Sequence, residues 1–214
     1  MIHKKVELTE LFYDLVFVYA ISQMTALIHH LHHGLVPLAA FVSYLVALIV
    51  LINTWMIQTV FTNRYGKNSF RNMAFMLLSM ALVLALSNSF SSDWTNITNF
   101  FHFSFLVIAL NALLALQYIW EYFQAKDQNN RRVIGFFSYL LVARTGLLAL
   151  CLLLPYPFSA FLSFVVIVLT TLMPMLYTGL MGLVPTNFPH LLERLSLLVI
   201  ITFGEMLIGI APYF

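Results

Sequence analysis

The sequence predicts an all-α fold: a polytopic integral membrane bundle of about seven transmembrane helices, with its N-terminus in the cytoplasm. Three observations carry this prediction. Of the 214 residues, 62% are hydrophobic and only 8% are charged, where soluble domains run near ~25% charged. The apolar residues gather into runs of roughly 20, the length that crosses a hydrocarbon core about 30 Å thick. The basic residues fall in alternate connections, as the positive-inside rule requires of a multi-pass chain.

The apolar segments run 11–28, 35–61, 70–90, 100–123, 133–154, 158–180 and 191–210. Before the first stand His3, Lys4 and Lys5, but Glu7, Glu10 and Asp14 interrupt the clean apolar core of a cleavable signal peptide, so a retained first helix is expected. These acids share one helix face, because four residues advance about 400° and seven about 700°. The second segment is long for a straight span and should tilt or extend into the interface. Pro174 is expected to break the sixth in its inner half, freeing carbonyls for a neighbour or a solute.

The connections then set the orientation. Lys4 and Lys5 precede the first segment, Arg64, Lys67 and Arg71 follow the second, Lys126, Arg131 and Arg132 follow the fourth, and Arg194 closes the connection to the last. HHLHHG, SSDWTN and PYPF contain no Lys or Arg. All these basic residues therefore lie on one side, which predicts a cytoplasmic N-terminus, an outside C-terminus and one transmembrane domain over residues 1–214.

Arg144 is the exception, about 11 residues and roughly 16 Å into the fifth segment. A guanidinium at that depth needs a carboxylate or several carbonyls. Asp14 is the expected partner, with Glu205 the other intramembrane acid and with Glu10 and Glu193 at the cytoplasmic boundary. Such a pair either clamps helices, binds an anion or gates a path. Thr54, Gln58 and Thr62 form a polar stripe on the second segment, Ser104, Asn111 and Tyr118 another on the fourth, and Asn53, Asn88 and Gln117 add amides. These residues serve either as interhelical hydrogen bonds or as the lining of a polar interior.

Chemistry beyond this is sparsely marked. His29 and His33 are spaced i, i+4 and are the candidates for a transition metal, with His102 able to join them, but no second ligand set is evident. The lysines, Lys4, Lys5, Lys67 and Lys126, all lie in tails or loops, so no membrane lysine can form a retinal Schiff base. No Walker, GxSxG, HExxH or CxxC pattern occurs, and neither an enzyme nor a cofactor is expected. The few dispersed basic residues argue against nucleic acid as a partner. A single cysteine, Cys151, excludes an internal disulfide.

Three stretches resemble one family. VELTELFYDLVFVYAISQMTALI (6–28), WMIQTVFTNRYG (55–66) and HLLERLSLLVIITFGEMLIGI (190–210) are similar to the ELF-aromatic-DLVFV, W…T…NRF and H…ERF…GE segments of the bacterial low-temperature-requirement A family of polytopic membrane proteins. The resemblance puts Glu10, Asp14, Asn63, Arg64, His190, Glu193, Arg194, Gly204 and Glu205 on that family's recurrent polar positions. It implies a bacterial cytoplasmic membrane protein. Family members usually continue with several more spans, so a shortened member or an N-terminal half is expected, with a second copy or partner helices covering the exposed side. The first and last segments share a likeness, ELFYDLVFV with ERLSLLVII, which a parallel repeat would produce if both start at the cytoplasmic face.

The function expected is transport or permeation of a small solute or ion through a polar interior built from Glu10, Asp14, Arg144 and Glu205, with Asp14 or Glu205 as the protonatable group. Arg64, Glu193, Arg194, Asn53, Gln58 and Asn111 are further candidates. The alternative is a non-enzymatic accessory protein in which the same charges only fasten helices. A hydrated cavity beside the charges would favour the first, a dry clamp the second.

Overall fold

The computed structural model describes residues 6–28, 35–91 and 97–210, in the last helix without the side chains of residues 205, 206 and 208–210. Among these residues the regular structure is helical, in the order α1 Leu8–Ala26, α2 Leu38–Tyr65, α3 Phe70–Ser87, α4 Ile97–Gln124, α5 Gln128–Cys151, α6 Phe158–Leu176, α7 Thr178–Met181 and α8 Phe188–Ile210. Five of them, α2 to α6, are long and apolar enough to cross a membrane. The charge-bearing α1 and α8 fall outside that set.

Local chemistry moves several boundaries from those expected. The Asp127 carboxylate caps α5 by accepting from Asn130 N–H at 2.9 Å. The helix therefore begins five residues before the apolar run does, and Arg131 and Arg132 lie in its first two turns instead of in a loop. The Ser69 hydroxyl accepts from Asn72 N–H and starts α3. α2 continues through Asn63 and Arg64 to Tyr65, so these two polar residues extend the second segment as helix. Pro174 lacks the N–H that would bond to the carbonyl four residues back, but α6 runs through it to Leu176 and stops at the non-helical Tyr177, three residues after the proline.

The chain divides into two compact units, Met1–Asp93 with Thr186–Phe214 and Trp94–Pro185. In the first, α1 packs against α2, α3 and α8. Tyr13, Phe17, Ala20 and Met24 are among its buried apolar residues. Directions follow from the contacts. Tyr13 meets Ser79 and Tyr19 meets Asn88, so α1 and α3 run parallel. Thr62 meets Arg194 and Asn63 meets His190, so α2 and α8 run antiparallel.

In the second unit α4 and α5 form an antiparallel hairpin, with Tyr118 against Phe137 at 5.3 Å, and α6 and α7 pack on α5. The expected stripe of Ser104, Asn111 and Tyr118 is buried in this unit, as is Arg144. Asn111 donates to the Val107 carbonyl of its own helix at 2.8 Å.

Gly66 closes α2. A Cβ there would come within 2.3 Å of the Thr62 carbonyl oxygen, the same atom that accepts the Gly66 N–H. Gly66→Ala should therefore open the last turn of α2 and destabilise the protein by about 1–3 kcal/mol. Thermal unfolding in detergent measures this, and an unchanged Tm would refute it.

Candidate functional site

The charged residues of α1 and α8 meet inside the first unit. Glu10 and Asp14 are one turn apart on α1, and His190 and Arg194 are one turn apart on α8. His190 Nε2 lies 3.0 Å from Glu10 Oε2. Arg194 Nη2 donates to Asp14 Oδ1 at 2.6 Å and Arg194 Nε donates to Asp14 Oδ2 at 3.1 Å. The two pairs keep one register, so α1 and α8 run parallel and start at the same face. All four side chains are buried, with residue exposures of 3% for Glu10 and 0% for Asp14, His190 and Arg194.

The expected partner of Asp14 was Arg144; the structure supplies Arg194 in its place. Arg194 lies within the second turn of α8 and not in the connection before it, because the helix starts at Phe188. Arg144 belongs to α5 of the other unit. Sequence depth alone pointed to Arg144, since it alone of the basic residues lay near the middle of an apolar run.

Asp14 and Arg194 satisfy each other closely. Trp55 Nε1 donates to Asp14 Oδ1 at 2.7 Å, so the carboxylate accepts three hydrogen bonds. Arg194 Nη1 donates to the Thr62 hydroxyl at 2.9 Å, and its guanidinium lies over the Trp55 ring at 5.8 Å. Thr62 passes its own proton to a backbone carbonyl of Gln58 or Thr59, each 3.1 Å away. Burying two charges costs several kcal/mol each, and the fork geometry with these extra bonds is what offsets the cost.

The Glu10–His190 pair is held by an amide. Asn63 Oδ1 accepts from Asn187 N–H at 2.9 Å, and Asn63 Nδ2 donates to Asn187 C=O at 2.9 Å. These two bonds fix which end of the amide is which. The Asn63 Nδ2 group then faces His190 Nδ1 at 3.1 Å and must donate to it. The ring proton therefore sits on Nε2, the nitrogen 3.0 Å from Glu10. Arg64 reaches from the next residue of α2 to the Thr186 hydroxyl, with Nη2 at 2.9 Å.

The other candidates distribute differently. Gln58 and Thr54 are buried on α2, and Asn53 is half-buried. The Gln58 amide and the Thr59 hydroxyl have no hydrogen-bond partner among the described residues. Glu193 is exposed, because it precedes Arg194 by one residue and so projects about 100° away from it. The Glu205 side chain, His29 and His33 lie outside the described residues. His102 is exposed on α4, and no metal-binding group of three or more His, Cys, Asp or Glu occurs among the described residues.

The profile of the bacterial low temperature requirement A protein family (LtrA) matches residues 5–214. The chain is a member of the LtrA family. Comparison with curated proteins and with solved structures returned no match. The three LtrA-like segments, far apart in sequence, converge here: Glu10 and Asp14 come from the first, Asn63 and Arg64 from the second, His190 and Arg194 from the third. The roles of Trp55 and Asn187 in this LtrA core were not foreseen from the sequence. The i, i+4 spacing of two acids on α1 and of a His and an Arg on α8 was the available signal.

Removing one member of the Asp14–Arg194 pair leaves the other charge buried. Asp14→Leu or Arg194→Met alone should each destabilise by about 3–5 kcal/mol. The double variant should lose clearly less than their sum. A double-mutant cycle of unfolding in detergent reads this coupling, and additive losses would show that the pair does not act as a unit.

Proposed function

We propose that this LtrA-family chain is a membrane permease for a small solute or ion, and that the charged core of its first unit handles the cargo. The supporting observation is the burial of Glu10, Asp14, His190 and Arg194 in two successive pairs within an apolar bundle. One saturated pair suffices to fasten two helices. The second pair, and the unspent hydrogen-bonding capacity of Gln58 and Thr59 beside the first, exceed that need. Ionisable groups at such positions mark solute and proton paths in membrane proteins by default.

The alternative reading is an accessory membrane protein in which the charges only clamp helices. The closed, bidentate Asp14–Arg194 geometry favours it for that pair. The two readings divide the network: Asp14–Arg194 sets the helix register, and Glu10–His190 is the pair that responds. Neither reading gives the chain a catalytic step.

In this proposal α1 and α8 span the membrane with α2 to α6, giving seven spans with the N-terminus in the cytoplasm of a bacterial cell. The parallel start of α1 and α8 agrees, since six crossings return the chain to the same face. In a Cys151→Ser background, Lys67→Cys and Lys126→Cys should react with an impermeant maleimide in inverted vesicles only. Tyr156→Cys should react in intact cells only. The opposite pattern would overturn the orientation.

Flux in sealed proteoliposomes tests the permease reading. Glu10→Gln, Asp14→Asn and Glu205→Gln should each lower the transport of the responsive ion or solute by tenfold or more. If all three carry every tested ion and solute at the unmodified rate, the accessory reading stands instead.

A further inference from the structure

A small recess opens beside Glu10, between the start of α1, the end of α2 and the start of α3. Glu7, Glu10, Thr62, Lys67, Asn68 and Met73 line it, with about 30 Å³ of space for water. A single water needs roughly 10–15 Å³ of such space, so the recess admits one or two waters and no organic solute. Lys67 on its wall disfavours a metal cation. The Asp14–Arg194 pair lies one turn deeper, and Thr62 alone belongs to both the recess and that pair.

We propose that this recess is a one-sided aqueous access to Glu10 and that the ligand it delivers is the proton. The inference rests on the permease reading for its use, but not for its test. A proton from recess water adds to the Glu10 carboxylate, and the water that released it becomes neutral or hydroxide. The proton goes no further through the histidine, because Nδ1 faces the amide N–H of Asn63 and that amide is locked by Asn187. Glu10 therefore loads and unloads from the recess that it lines among the described residues, which suits a coupling site and not a proton wire. Among the described residues, the charged and titratable groups on the elements packed around it are Glu7 and Asp14 on its own side, His190 and Arg194 on α8, Arg64 on α2 with Lys67 just beyond it, and Arg71 at the start of α3. Glu193 is exposed and outside this set.

Infrared difference spectroscopy of the full chain in lipid, titrated with acid, tests this directly. A protonated-carboxyl band should appear as pH falls, shift in D₂O within the mixing time, and be lost in Glu10→Gln. Met73→Trp, which fills the recess and leaves Glu10 and His190 in place, should keep the band and slow its D₂O shift by tenfold or more. This second variant decides the matter if Glu10→Gln fails to fold. Persistence of the band in a folded Glu10→Gln, or an unslowed shift in Met73→Trp, overturns the proposal. So does a titration that moves with sodium at fixed pH, which would assign the recess to a metal cation. Absence of any flux with the band intact would refute the permease reading alone.

Discussion

The pairing of Asp14 with Arg194 is the constraint around which the first unit is arranged. Neither charge is tolerable alone in an apolar interior, so each helix must deliver its residue to the same depth and azimuth. That requirement sets α1 and α8 parallel and in one register, and the same register brings Glu10 to His190 one turn away. It also recruits α2, whose Trp55 and Thr62 complete the hydrogen bonds of the pair from a third direction. α1 sits against α2, α3 and α8, and its buried acids lie on the side those helices cover, while Leu8, Phe12, Leu15 and Tyr19 form an exposed apolar face.

A consequence is that the first unit is discontinuous. It is assembled from both parts of the described chain, with the second unit inserted between α3 and α8. Its charges cannot be neutralised until α8 has been made, so α1 to α3 must persist with Asp14 uncompensated by its partner until residue 194 arrives. Closure across so long a separation is the costly step in assembling such a topology.

Within the core the two pairs are chemically unequal. Asp14 and Arg194 spend most of their capacity on each other, on Trp55 and on Thr62, which makes a closed fastening. Glu10 lines a recess with room for water, and its histidine partner is oriented by an amide whose own two ends are tied to the backbone of Asn187. A shared geometric frame thus holds one pair closed and leaves the other in reach of solvent. The second unit also buries polar residues, Arg144 and Glu121 among them, and its Asn111 bonds within its own helix.

The apolar excess, the helical class and the LtrA family were legible in the amino-acid sequence, because each is a property of composition or of local motifs. So was the end of α6 near Pro174, which lacks an N–H. Helix starts were less legible where a capping carboxylate such as Asp127 carried the helix into polar residues. Partner choice was not legible at all. Depth along an apolar run singled out Arg144, but pairing depends on which helices become neighbours and in which direction. Only the tertiary structure placed α8 beside α1, turned the apparent loop residue Arg194 into the buried partner of Asp14, and left Glu193, one residue earlier, facing outward.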